Sequence, residues 1–222
     1  MNDPLSQVSI VLPVGPGDRS WPPLYAALRE HAAAAELLPV FADGDPQPTP
    51  IEALHAPKGR ALQQNTGART AQRPWLWFLH ADTRLTPQAL PALRTFVERN
   101  EPALGWFRLR FDAEGPKTLQ WAMRANAIGA NWRSRRLGLP FGDQGLLIPR
   151  AAFDRLEGFD PQLAYGEDHA LVWRARRAGL PLRAIDAALV TSARKYAERG
   201  WLRTTLHHLR LTADQAWCEM RR

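Results

Sequence analysis

At 222 residues, 45% hydrophobic and 23% charged, the chain is long enough to bury a substantial core and needs neither metal nor disulfide merely to fold. Its one cysteine, Cys218, excludes an internal disulfide framework and a cysteine-based zinc site. The absence of a basic-then-apolar leader and of a long uninterrupted apolar run leads us to expect a cytosolic protein without a membrane span. The net charge of +7, carried almost wholly by arginine, favours anionic partners but does not choose among nucleic acid, an anionic membrane and phosphate-bearing small molecules.

In chain order, Gln7 to Val14 is a β-rich run that ends in a Gly/Pro turn, Pro13 to Asp18. Ser20 and Pro22 open a helix with Leu24, Leu28, Ala32 and Ala35 at helical spacing, expected to reach about Glu36. Leu37 to Ala42 is a short apolar strand ending at Asp43, followed by a proline-rich loop to Pro50. Ile51 to His55 is expected as a third strand, and Lys58 to Ala71 as a helix carrying Arg60, Gln63, Asn65 and Gly67.

The next stretch organises the rest. Trp75 to Leu79 is wholly apolar, which suits a strand covered on both faces, and it stops abruptly at His80-Ala81-Asp82-Thr83. In open α/β sheets ligands sit beyond the carboxyl ends of such strands. Asp82 equally suits an ordinary turn or capping role. Thr86-Pro87 reads as an N-cap with proline at the first helical position, opening a helix to Arg99.

Ala103 to Phe111 follows as a strand and Leu119 to Ile128 as a helix, leading into an arginine-rich loop. From Gly115 to Gly142 there are Lys117, Arg124, Arg133, Arg135 and Arg136 and no acid, which a solvated basic face would also explain. Leu146 to Pro149 is a short apolar run, Ala151 to Leu156 a brief helix, and Gly166-Glu167-Asp168 opens a helix that stops at Gly179. Leu182 to Val190 is the last strand, and no repeat is visible.

Six stretches in this order resemble the family 2 glycosyltransferases, in particular their small soluble bacterial branch: Ile10-Val11-Leu12-Pro13; Asp43-Gly44; Lys58-Gly59-Arg60-Ala61 with Asn65 and Gly67-Ala68; Phe78 to Thr83; Phe141-Gly142-Asp143-Gln144-Gly145; and Gly166-Glu167-Asp168. Each alone is weak, but their order and spacing together span about Ser9 to Arg203. The resemblance implies an α/β GT-A fold, a mostly parallel central sheet flanked by helices. It further implies a hexosyltransferase-type enzyme that takes a nucleoside-diphosphate sugar and a divalent cation, manganese or magnesium, and inverts the anomeric carbon.

Residue by residue, Asp82 matches the metal-binding second acid of the family's Asp-x-Asp motif, and His80 stands where the first acid usually is. Arg60 offers a planar fork to phosphate oxygens. Pro13, Gly15, Asp43, Asn65 and His80 fall with Arg60 on the donor side, Asp43 matching an acceptor for the base. Asp168 matches the family's general base, with Glu167 orienting it or meeting the acceptor, although an acidic pair in a first turn is also stabilised simply by the helix dipole. Asp143 and Gln144 are assigned to the acceptor side. The sequence departs from the family where Gly15 to Asp18 replaces an Asn-Glu pair and Asp45 to Pro48 a Ser/Asp-rich turn. These changes keep open a non-catalytic nucleotide-binding or scaffold member.

Residues 1–192 are expected to form the catalytic domain and 193–222 an amphipathic helical tail, with Trp201, Leu202, Leu206, Leu209, Ala213, Ala216 and Trp217 on one stripe. Its basic residues lead us to expect at most weak, salt-sensitive contact with an anionic membrane, which would bring the site to a lipid-linked or glycan acceptor. No helix-turn-helix, zinc or paired-aromatic pattern supports a nucleic-acid partner.

Overall fold

The computed structural model describes residues 3–45, 51–112, 116–163 and 165–193, together with Tyr196, Thr205 and Arg210. The first half is a doubly wound unit: β1 (Val8–Val14), α1 (Trp21–His31), β2 (Glu36–Ala42), β3 (Leu54–Ala56), α2 (Arg60–Thr70) and β4 (Trp75–Phe78). Then come β5 (Arg84–Leu85), α3 (Ala89–Glu98), β6 (Leu104–Asp112), α4 (Lys117–Leu137), β7 (Leu147–Pro149), α5 (Arg150–Arg155), α6 (Glu167–Arg177) and β8 (Leu182–Ser192). The eight strands among the described residues join one sheet in the order β3-β2-β1-β4-β7-β6-β8-β5.

Strands β3, β2, β1 and β4 run parallel, β7 is antiparallel to both β4 and β6, and β8 returns parallel to β6. Every residue of β1 and β4 is buried, so hydrophobicity does not alternate along them. Their side chains nevertheless divide by pleat. Ile10, Leu12, Trp75 and Trp77 enter the core on one face of the sheet, while Val11, Leu76 and Phe78 enter the core on the other. Close packing of α2 on the sheet depends on Gly67, where a Cβ would lie 2.5 Å from Cγ1 of Val11.

Four local expectations are corrected. The first helix ends at His31 rather than Glu36, because Glu36 is drawn into β2 opposite Ser9 and sheet pairing overrides the helical spacing of Ala32 and Ala35. The third strand sits at Leu54–Ala56, later than expected, where it pairs with Val40 to Ala42. Thr86 does not cap α3: its hydroxyl donates to the Ala188 carbonyl at 2.7 Å, and the helix begins at Ala89. The arginine-rich loop is helix. Helix α4 runs unbroken for 21 residues and stops at Gly138, which takes the left-handed conformation. Asn131 holds it there by bridging both the N–H and the carbonyl of Leu109 on β6.

Strand β8 ends at Ser192, and the tail expected beyond it lies outside the described residues apart from Ala193, Tyr196, Thr205 and Arg210. Among the described residues no helix is long and apolar enough to cross a membrane.

Candidate active site

The carboxyl ends of β1, β2 and β4 place Pro13, Gly15, Asp43, His80 and Asp82, while α2, the turn before β7 and the start of α6 carry the other residues singled out in the sequence. Pro13 is buried in β1 opposite Val40, and Gly15 opens the loop that follows. Asp43 stands exposed just past β2, its N–H donating to the Ala56 carbonyl at 2.8 Å. The two unusual loops meet each other: the Gly17 N–H donates to the Asp45 carboxylate at 3.2 Å. Beneath them the Gln63 amide donates to the Val14 carbonyl at 2.6 Å and the Val40 carbonyl at 2.8 Å, pinning the ends of β1 and β2 together.

The tightest polar cluster joins three distant segments. Arg60, the first residue of α2, ion-pairs through Nε with Glu167, the first residue of α6. Its NH1 also lies 3.2 Å from Nε2 of His80 beyond β4. Glu167 is buried, whereas the Arg60 side chain keeps 42% of its surface open to solvent. Burial works against the Arg60 charge, but the carboxylates of Asp168, Glu167 and Asp143 outweigh it and raise the guanidinium above its ordinary value.

Asp168 is buried beside this pair. Its Oδ2 accepts from the Gly142 N–H, and its Oδ1 accepts from the His169 N–H at 2.8 Å. Burial alone would push its carboxyl up, but Arg60, the Gly142 N–H, His80 and the His169 N–H together hold it below the usual range. Asp168 is therefore ionised at neutral pH, and its position in the first turn of α6 adds the favourable end of the helix dipole.

Asp143 is the counterpart with the opposite shift. Its Oδ1 is buried without a hydrogen-bond partner, and its carboxyl is pushed up to about 6. Burial is the main cause; Asp168 and Asp82 add to it, while Arg133 and Arg60 oppose it. Arg133 comes from α4, donates to the Leu139 carbonyl at 3.0 Å and lies over the Phe141 ring, its carbon 3.5 Å from the centroid. Burial lowers the Arg133 guanidinium from its ordinary value despite Asp143 and Asp168 nearby.

Asp82 sits half-buried in the turn after β4, with Thr191 of β8 donating a long contact of 3.4 Å to it. No group of three or more His, Cys, Asp or Glu residues among the described residues could hold a metal ion by itself. Magnesium in phosphate-handling sites takes one or two carboxylates together with phosphate oxygens, a mode that an accessible strand-end carboxylate fits.

Two sequence candidates are committed elsewhere. Asn65 spends both ends of its amide on Phe159, donating to its carbonyl at 2.7 Å and accepting from its N–H at 2.9 Å. Gln144, fully buried, accepts from Ser134 and from the Phe141 N–H and donates to the Phe107 carbonyl. Both residues therefore shape the loops rather than face the cluster. In their place the structure brings in Arg133 and the Gly142 N–H. Arg133 was visible only as one of several arginines, and only the helical course of α4 singles it out.

A family model described as glycosyl transferase family 2 matches residues 32–156, more than half of the chain. Among solved structures, the fold matches S. aureus TarS with a TM-score of 0.63 at 11% identity, over 85% of this chain and 37% of that one. It also matches S. aureus TarS 1-349 in complex with UDP-GlcNAc with a TM-score of 0.63 at 11% identity, over 84% of this chain and 58% of that one. The chain thus spans less than two thirds of the length of these structures. No curated protein matches it. With a parallel-rich sheet, polar residues converging beyond its strand ends, and a family match that spans the ends of β2 and β4, the chain belongs to glycosyltransferase family 2 and has its GT-A fold.

Proposed function

We propose that the protein transfers a sugar from a nucleoside-diphosphate sugar to an acceptor hydroxyl with inversion at the anomeric carbon. The observation that carries this reading is the meeting of distant segments in one cluster, Arg60 with Glu167 and His80, and Asp168 and His80 with Gly142, where the Asp82 charge acts on Asp143 of the same loop. An ionised, buried carboxylate and a half-exposed guanidinium in one place suit proton removal and diphosphate recognition respectively.

In this reading the loops after β1 and β2, with Pro13, Gly15 and Asp43, receive the nucleoside, and Arg60 meets the diphosphate. Asp82 would hold a divalent cation, magnesium or manganese, which when bound offsets the charge of the leaving diphosphate. The acceptor oxygen attacks the anomeric carbon from the face opposite the diphosphate. The carbon–oxygen bond to the phosphate breaks with its electron pair on the diphosphate, and Asp168 takes the hydroxyl proton. Glu167, locked to Arg60, couples the acceptor side to the donor side. A diphosphate that draws on the Arg60 charge would relax its hold on Asp168, so the base strengthens when donor is present. UDP-GlcNAc, the ligand of a structurally similar protein, is the first donor to try.

The test is a thermal-shift panel of nucleoside-diphosphate sugars with and without manganese or magnesium, followed by turnover of whichever binds. A ligand at 100 times its dissociation constant adds about 2.7 kcal/mol, or several degrees for a domain of this size. Asp82→Ala should abolish the metal-dependent part of binding with the fold intact. If it binds nucleoside diphosphate with manganese as tightly as the wild type, the metal assignment is wrong. Metal-dependent binding without turnover of any donor would favour the non-catalytic reading that the altered loops keep open.

A further inference from the structure

Helix α4 turns to solvent a face that the described residues do not cover. Trp121, Ile128 and Trp132 are 68, 71 and 58% exposed. Their spacings of seven and four residues stack them on one line of an α-helix, over a length of about 16 Å. Met123 and Ser134, the buried residues of α4, lie on the opposite side. The stripe is therefore the face of α4 directed away from the sheet.

Its margins are cationic. Lys117, Arg124, Arg135 and Arg136 are all exposed and fall within about 60° of the stripe at 3.6 residues per turn. No acid occurs anywhere from Lys117 to Gly142. Arg124 lies over the Trp121 indole, its guanidinium carbon 5.5 Å from the ring centre. Indoles set between cationic flanks are the composition of a helix that lies in a lipid interface, with the rings at headgroup level and the cations on anionic phosphates.

Two other occupants fit less well. A second copy of the chain packed on this stripe about a two-fold axis would bring the same cationic margins together, and like charges across an interface are costly. A tail residue described against α4 sits elsewhere: Thr205 accepts a hydrogen bond from Asn126 at 3.1 Å, and Asn126 lies well round the helix from the stripe.

We propose that the Trp121–Ile128–Trp132 stripe of α4 lies on an anionic lipid surface, with its arginine margins on the headgroups. The same helix carries Arg133 into the active site and ends just before Phe141 to Gln144, so a surface held by α4 borders the acceptor side. On the glycosyl-transfer reading, this points to an acceptor presented from the lipid layer.

Binding itself is tested without turnover, so its failure is distinct from failure of the enzymatic reading. The 222-residue chain is sedimented with vesicles of phosphatidylcholine alone or of phosphatidylcholine and phosphatidylglycerol in equal parts, at low and raised salt. Two variants are compared, Trp121→Ser/Ile128→Ser/Trp132→Ser and Arg124→Glu/Arg135→Glu/Arg136→Glu, each checked for an unchanged thermal transition. Wild type should pellet with anionic vesicles at low salt, less so at raised salt, and both variants should stay in the supernatant. Neutralising a single arginine should lower partitioning about fivefold, equivalent to ~1 kcal/mol. Equal pelleting with both vesicle types, no pelleting, or undiminished pelleting of both variants would overturn the proposal. So would a wild-type dimer in sedimentation velocity that the serine variant abolishes, which would assign the stripe to a second copy.

Discussion

Gly142 gives its N–H to Oδ2 of Asp168, and a Cβ built on it would lie 2.8 Å from that oxygen and 2.9 Å from Nε2 of His80. The backbone here does two things at once: it stabilises the ionised carboxylate, and it leaves space that both the imidazole and the carboxylate occupy. Real Cβ atoms do not tolerate such contacts, so any larger residue must displace one partner. Gly142→Ala should fold, since the change lies in a short turn, yet lower sugar transfer about 100-fold, the scale of an ångström-sized misplacement of a reacting group. Wild-type turnover in this variant would show that His80 and Asp168 are not held in a fixed arrangement.

Asp168→Asn tests the base more directly. The replacement keeps the size and one acceptor oxygen for Gly142 but removes the charge that faces Arg60. Donor binding should change little, while transfer to a proven acceptor should fall by at least ~100-fold, the lower end for a lost general base. Isothermal titration with donor and single-turnover kinetics separate the two effects. Equal single-turnover rates would remove Asp168 from proton transfer.

What the sequence made legible follows from what is local. Trp75 to Leu79 announces a buried strand because both faces of a parallel sheet are covered, and the polar break at His80 marks its carboxyl end without further information. The same local reading fails where a tertiary partner decides. Glu36 continues a helical pattern but pairs with Ser9 in the sheet, and Thr86 has the chemistry of a cap but finds the Ala188 carbonyl. Asn65 and Gln144 sit within family motifs, yet their amides answer backbone groups 94 and 37 residues away, which no spacing rule reveals. Arg133 is the reverse case: its role depends on α4 continuing past Ile128, and that continuation rests on the Asn131 bridge to Leu109.

Gly67 offers a test of packing in which two ordinary rules oppose each other. Alanine is the better helix former by about 1 kcal/mol, so Gly67→Ala in α2 would stabilise an exposed helix. Here the new methyl would lie 2.5 Å from Cγ1 of Val11 and 3.2 Å from Cγ2 of Val40, both on buried strands and both β-branched, hence stiff. Overpacking of this kind costs about 1–3 kcal/mol and should win, lowering stability by about 1–2 kcal/mol in urea denaturation. Adding Val11→Ala should recover part of that loss, making the pair non-additive. Stabilisation by the single change would mean that α2 sits farther from β1 than described.

Asp143 should leave a signature in the pH dependence of stability. Its carboxyl stands at about 6 in the folded protein against an ordinary 3.8, so between these values the folded state holds the proton more tightly than the unfolded chain. Stability from this group is thus fully present below about pH 4 and lost as pH rises through about 6, by roughly 3 kcal/mol in all. Asp168 has the opposite sign: its lowered carboxyl contributes stability at neutral pH that is lost as pH falls through its folded value. The two are told apart by substitution. Asp143→Asn, measured by urea denaturation in the presence of a chelator, should match the wild type near pH 4 and exceed it by up to ~3 kcal/mol near pH 7, since the amide never has to ionise in the buried turn. The gain should shrink if Asp168 is also replaced by Asn, because the Asp168 charge is one of the causes that raise Asp143. A difference between Asp143→Asn and wild type that does not vary across this range would show that Asp143 ionises normally in the folded protein.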